Sequence, residues 1–156
     1  MAASGIKAFT IDIPNSKLAR LRSKLAVFNL PTEVQDDAWS RGPPVADILR
    51  LAEYWRDGFD WRAVEKKMND DLPQFMTRID VDGFGDFDVH FVHKQSETRE
   101  AIPLLFVHGW PGSFVEVRKI LPLLVGGGHG GEKEVPKFHV VAPSLVISGS
   151  RVDVPK

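Results

Sequence analysis

Hydrophobic positions change their period near residue 76. Before that point they recur every three or four residues. Leu18, Leu21, Leu25 and Phe28 follow Pro14-Asn15-Ser16, which predicts a helix with Asn15 or Ser16 as its N-cap. A second helix is expected after Pro43-Pro44. Its apolar stripe is Val45, Ile48, Leu49, Ala52 and Trp55, and Gly58 ends it. Asp60 is placed to cap a third helix, with Trp61, Val64 and Met68 on its buried face. Beyond residue 76 the pattern alternates. Thr77 to Val81 and Phe87 to His93 flank Asp82-Gly83-Phe84-Gly85-Asp86, which is a hairpin signal. Pro103-Leu104-Leu105-Phe106-Val107 is a continuous apolar run that suits a strand covered on both faces. Ser113 and Glu116 form a capping box, opening a helix through Phe114, Val115, Val117, Ile120, Leu121 and Leu124. Phe138 to Ala142 is a second strand of the buried type.

Strand, helix and strand over 103–142 predict a βαβ unit with parallel strands and a right-handed crossover. The expected fold class is therefore α/β. The organisation read from the pattern is a helical region over 1–76, the start of an α/β core over 77–145 with its hairpin at 77–93, and a tail over 146–156.

Composition narrows the function classes. The chain has 156 residues, enough for one ordinary domain. It is 43% hydrophobic and 26% charged with a net charge of −1, and no basic tract points to nucleic acid or an anionic membrane surface. No cysteine is present, which removes disulfides, thiolate metal sites and a cysteine nucleophile. No stretch approaches the roughly 18 apolar residues of a membrane span. Residues 1–7 lack an apolar core of signal-peptide length. A cytoplasmic protein with no membrane anchor and no cofactor is expected.

The segment richest in chemistry is Phe106-Val107-His108-Gly109-Trp110-Pro111-Gly112-Ser113. It lies between a buried strand and a helix, at the sheet edge where open α/β folds bind ligands. Glycine there lets the backbone approach a substrate, and backbone N–H groups turned to the crevice stabilise a developing oxyanion.

His108-Gly109-Trp110-Pro111 followed by Gly112-Ser113-Phe114 resembles the oxyanion-hole signature of microsomal-type and fungal soluble epoxide hydrolases. The first half resembles their N-terminal region at Trp39, Gly42-Pro43, Tyr54-Trp55, Phe59-Asp60-Trp61-Arg62, Asn69, Leu72-Pro73-Gln74-Phe75, Ile79 and His90-Phe91-Val92-His93. The resemblance spans roughly residues 6 to 145. It implies an α/β-hydrolase fold and a two-step hydrolysis of a small-molecule epoxide. An aspartate opens the ring to an alkyl-enzyme ester, with lid tyrosines polarising the epoxide oxygen. A histidine with an acidic partner then activates water against the ester. Trp110 would supply a backbone oxyanion donor, with His108, Gly109 and Pro111 shaping the loop. The same resemblance makes Trp110–Pro111 a candidate cis peptide and makes His108 structural, because the family's catalytic histidine lies far downstream.

The rest of that machinery is not expected in these residues. No Gly-x-Ser-x-Gly elbow or aspartate variant occurs, and the one tyrosine, Tyr54, belongs to the helical half. Ala142-Pro143-Ser144-Leu145 fits the family, which would continue with Pro-Gly and an aromatic, whereas this chain reads Val146-Ile147-Ser148-Gly149-Ser150. Read-through of an unspliced intron or a frame error would produce that switch; a transcript confirming the stop after Lys156 would rule it out. The expectation is a truncated α/β-hydrolase fold, inactive on its own. Two alternatives are a regulatory fragment that docks on a full-length homologue or self-associates, and a fragment of a serine-nucleophile hydrolase.

Other signals fail on geometry. His90 and His93 fall on opposite faces of one strand, which defeats a metal pair. Asp80, Asp82, Gly85, Asp86 and Asp88 imitate a calcium loop, but Phe84 occupies a ligand position and Phe91 stands where the closing Glu belongs. The glycines at 126–131 lack the Gly-Lys-Ser/Thr ending of a phosphate loop. Trp39, Trp55, Trp61 and Phe75 are expected as packing aromatics, and Asp60, Asp70 and Asp71 as capping or solvated residues.

Overall fold

A computed structural model describes residues 5–32, 39–40, 42–126 and 135–145. The glycine-rich loop beyond Gly126 and the tail from 146 lie outside the described residues. Two compact units form, one of Asp12–Glu65 and one of Met1–Ile11 with Lys66–Lys156.

In the first unit, α1 spans Asn15–Ala26 and buries Leu25. Its N-cap is Pro14, not Asn15 or Ser16, and no side chain caps it. The Asn15 amide oxygen instead accepts from Arg62. The second helix, α2, spans Val45–Glu53 and runs into a π-helical turn at Tyr54–Gly58. No residue of α2 is buried, and Trp55 and Trp39 are 49% and 67% exposed. The packing role expected for those two tryptophans is therefore corrected. A periodic stripe records a face suited to burial and does not supply the surface that covers it.

α3 spans Trp61–Asp71, and the Asp60 carboxylate caps it by accepting from Ala63 N–H at 3.1 Å. Glu65 is its one buried charge. It accepts from Ile13 N–H at 2.7 Å, from Trp61 Nε1 at 3.1 Å and from Arg62. Burial alone would raise this carboxyl, but those donors hold it below the ordinary carboxylate range.

The second unit is built on a five-stranded mixed sheet in the order β1-β2-β3-β5-β4. Its strands are β1 (Lys7–Phe9), β2 (Gln74–Val81), β3 (Gly85–Lys94), β4 (Ile102–Leu105) and β5 (Phe138–Pro143). The expected hairpin is β2–β3, antiparallel with Phe75 opposite Phe91, turning through Gly83 and Gly85 at φ 77° and 84°. That left-handed backbone explains glycine at both positions. β1, for which the pattern gave no signal, pairs antiparallel with β2. β4 and β5 are parallel, as the βαβ reading requires.

Between them the chain forms a 3-10 helix, Phe114–Lys119, and then α4, Leu121–Gly126, where one continuous helix was expected. Pro122 sits in the first turn of α4, where its missing N–H costs nothing. Val117 and Leu121 from this connection join Leu72, Val92, Val140 and Ala142 in the core, with Leu104 and Phe106 packed against them. β4 is an edge strand. Ile102 and Leu105 are 52% and 64% exposed, which corrects the expectation that it is covered on both faces.

Candidate functional site

Because β4 and β5 are parallel, the loops leaving them emerge at one edge of the sheet. Phe106 N–H still donates to Val141 O at 2.8 Å, so the ladder continues to the start of the β4 loop. His108 then joins the two loops. Leu145 N–H donates to its Nε2 at 3.3 Å, and its Nδ1 lies 3.0 Å from Gly109 O. With Nε2 accepting, the proton sits on Nδ1 and is donated to the Gly109 carbonyl. The imidazole is thus a structural strut between the loops.

The Trp110–Pro111 peptide is cis. The Trp110 side chain is 87% exposed, and its N–H donates to no group among the described residues. Ser113 Oγ accepts from Val115 N–H at 3.4 Å, so Ser113 is the N-cap, but Glu116 N–H bonds the Ser113 carbonyl and the reciprocal capping box expected of Ser113 and Glu116 is not formed. The Glu116 carboxyl lies over Gly112, where a Cβ would collide with it. Glycine at 112 is what permits this approach. A groove of about 730 Å³ borders the loop, lined by Pro111, Gly112, Ser113 and Glu116 and, across it, Lys67 and Asp71. Arg118 donates to Asp71 at 2.7 Å and, with Lys67, holds that carboxyl below its usual range.

Sequence reasoning missed a polar chain that reaches the same edge from below. Ile11 N–H donates to Asn69 Oδ1 at 2.9 Å, and Gln74 Nε2 donates to the same oxygen at 3.1 Å. Gln74 Oε1 lies 3.0 Å from His90 Nε2, and His90 Nδ1 lies 2.8 Å from Ser144 Oγ. Phe9 and Phe114 pack edge-on against the His90 ring, with centroids at 5.0 and 4.6 Å. This burial pushes the imidazole below its usual range. His93 points to the other face and packs against Phe75. The alternation of β3 put His90 on an inward face, but its partners come from Gln74 and Ser144, which no local pattern connects.

Among the described residues no helix is long and apolar enough to cross a membrane. A family model described as the epoxide hydrolase N terminus matches residues 6–117. A putative epoxide hydrolase of Stigmatella aurantiaca is 41% identical over 142 residues, covering 90% of this chain and 31% of the relative. Epoxide hydrolase 1 of Sus scrofa is 32% identical over 144 residues, covering 90% and 30%. The chain thus spans about a third of the length of these relatives. The Aspergillus niger epoxide hydrolase structure superposes with a TM-score of 0.71 at 31% identity, over 91% of this chain and 35% of that one. The juvenile hormone epoxide hydrolase of Bombyx mori superposes at 0.75 with 22% identity, over 92% and 36%, and supports the fold alone.

Proposed function

The chain belongs to the epoxide hydrolase family through its N-terminal region and carries the first part of an α/β-hydrolase fold, and from that premise we propose that it supplies the oxyanion loop for hydrolysis of a small-molecule epoxide to a vicinal diol. The observation that carries the reading is the unspent Trp110 N–H, on a strand-to-helix loop at the C-terminal edge of parallel strands. In the reaction an aspartate carboxylate attacks an epoxide carbon. The C–O bond breaks, and the alkoxide takes a proton from a lid tyrosine, which is later reprotonated by the histidine that has taken the proton of water. Water, deprotonated by a histidine, then attacks the ester carbonyl. The negative charge that develops on the carbonyl oxygen is held by backbone donors, Trp110 N–H among them. Collapse releases the diol and restores the carboxylate. His108, Gly109 and Pro111 hold the loop in shape and take no proton from the substrate.

The nucleophile elbow and the lid tyrosines are not among these 156 residues. In this reading these 156 residues alone turn over no epoxide, because the nucleophile, the general-base histidine with its acidic partner and the lid tyrosines have to come from outside them. The family match argues against the serine-nucleophile alternative. The experiment compares the 156-residue chain with a fusion of residues 1–145 to the remaining part of the Stigmatella aurantiaca relative. The expected result is no diol above background from the chain and measurable diol from the fusion. Diol formed by the chain alone defeats the claim of incompetence. A folded fusion without activity defeats the assignment of the loop.

A further inference from the structure

Helix α1 carries charge of one sign only. From Ile13 to Thr32 the sequence has four cations, Lys17, Arg20, Arg22 and Lys24, and no Asp or Glu. All four side chains are exposed, and none makes a hydrogen bond or ion pair among the described residues. The described carboxylates of the same compact unit are engaged elsewhere. Asp12 and Glu65 face Arg62, Asp47 faces Arg50, and Asp60 caps α3. Asp57, with Glu53 behind it, serves Arg56.

Helix geometry sorts these cations. At about 3.6 residues per turn, Lys17, Arg20 and Lys24 fall in one strip roughly 60° wide. Leu18, Leu21 and Leu25 lie to one side of it, and Leu25 is buried. Ser16 and Ser23 lie to the other. Val27, the C-cap, continues the strip at its end and is 76% exposed. The π-helical turn that packs against α1 exposes Tyr54 and Trp55 as well. The net charge of −1 and the lack of a contiguous basic tract conceal this strip, because its members are spaced by uncharged residues along the sequence and meet only on the helix.

We infer that α1 is an interfacial helix, which lays its Lys17–Arg20–Lys24 strip on an anionic lipid surface with Val27 at the headgroup boundary. Anionic headgroups set up a negative potential that attracts Lys and Arg, and the attraction fades within a Debye length. A straight strip of long cations suits an extended surface, since each charged head reaches outward while its stem stays along the helix. The exposed apolar neighbours select a bilayer over a wholly polar polyanion. Val27, Tyr54 and Trp55 have aliphatic and aromatic surface to bury at a headgroup boundary, and a nucleic acid backbone or an acidic peptide offers nothing equivalent. With 12 residues α1 is too short to span a bilayer, so the contact is peripheral and reversible. The inference stands apart from the oxyanion-loop reading, whose residues belong to the other compact unit.

The test is vesicle flotation of the 156-residue chain, in which bound protein rises and aggregate sinks. The vesicles hold phosphatidylcholine alone or with a third of phosphatidylserine. The chain should float with the anionic vesicles at low ionic strength, stay behind with the neutral ones, and come off as salt rises to about 0.5 M. The triple variant Lys17→Gln, Arg20→Gln, Lys24→Gln should lower the partition coefficient about a hundredfold, from about fivefold for each cation at the surface. Val27→Ser should lower it about threefold. The charge-preserving triple Lys17→Arg, Arg20→Lys, Lys24→Arg should float like the parent. So should Lys7→Gln, Lys94→Gln, Lys119→Gln, which removes the same net charge from exposed positions outside α1. Equal flotation with neutral vesicles, no flotation with anionic ones, or a glutamine triple in α1 that floats like the parent would overturn the assignment. So would an equal loss in the triple outside α1, which would make net charge the cause. Polyglutamate or duplex DNA bound as tightly as the anionic vesicles at the same ionic strength would overturn the choice of a lipid surface.

Discussion

At Gly112 a methyl group would meet the Glu116 carboxyl and stand 2.9 Å from the Gly109 carbonyl oxygen. The carboxyl is the far end of a flexible side chain and moves at little cost. The carbonyl belongs to the loop backbone and does not. Gly112→Ala should therefore destabilise the chain by about 1–2 kcal/mol, the lower part of the overpacking range, read from the shift in urea midpoint. Glu116→Ala in the same chain should recover only a small part of that loss. Full recovery would show that the side chain, and not the loop carbonyl, sets the constraint. The motif His108 to Ser113 and its place after a strand were legible in the sequence, because residue identity and local period encode them. The His108–Leu145 and His90–Ser144 pairs were not. They join residues 37 and 54 positions apart, and such contacts follow from sheet topology.

Element by element, legibility tracked how local the causes are. The β2–β3 hairpin and α3 were foreseeable, since turn glycines and an aspartate cap act within a few residues. The split of the predicted 114–124 helix follows from Pro122, and the short β1 has only three residues with no alternation to read. The start of α1 went astray because Asn15 spends its side chain on Arg62, far along the chain. Arg62 also serves Glu65, and Glu65 ties Ile13 to α3. Removing that carboxylate leaves the Ile13 N–H and Trp61 Nε1–H donors without their acceptor. Glu65→Ala should cost about 2–3 kcal/mol, in the range for losing bonds to a charged group, and Glu65→Gln, which keeps one acceptor oxygen, should cost less. The pH dependence has a definite sign. The folded pKa lies below the unfolded one, so the contribution is complete above pH 4.5 and is lost as pH falls through the folded value. Acid titration of the parent and of Glu65→Gln should converge at low pH. Curves that stay parallel would assign the stabilisation to packing.

For the molecule as a whole, the consequential feature is the outer edge of β4. Its inner edge is occupied by β5 in a parallel ladder, and among the described residues no strand pairs with the other. Alternation turns the N–H and C=O groups of Leu105 and Val107 to the open side, while Ile102, Leu104 and Phe106 bond towards β5. Leu105 and Val107 are also 64% and 50% exposed, so unpaired backbone and bare aliphatic side chains coincide on one edge. Pro103 removes one donor from that edge, and no charged side chain lies between Ile102 and Val107 to repel a second strand. The chain should therefore self-associate when it is prepared alone, with light-scattering mass rising with concentration. Placing lysine at position 105 adds a charge on the exposed face without touching the core. Leu105→Lys should lower the association at equal concentration and leave the far-ultraviolet dichroism unchanged. The control is Leu123→Lys, another exposed leucine, 52% exposed and on α4 rather than β4, which should leave association as it was. If both lysines suppress association equally, general surface hydrophobicity is responsible and the edge is not. A monodisperse monomer of the parent chain with a cooperative thermal transition would remove the premise altogether.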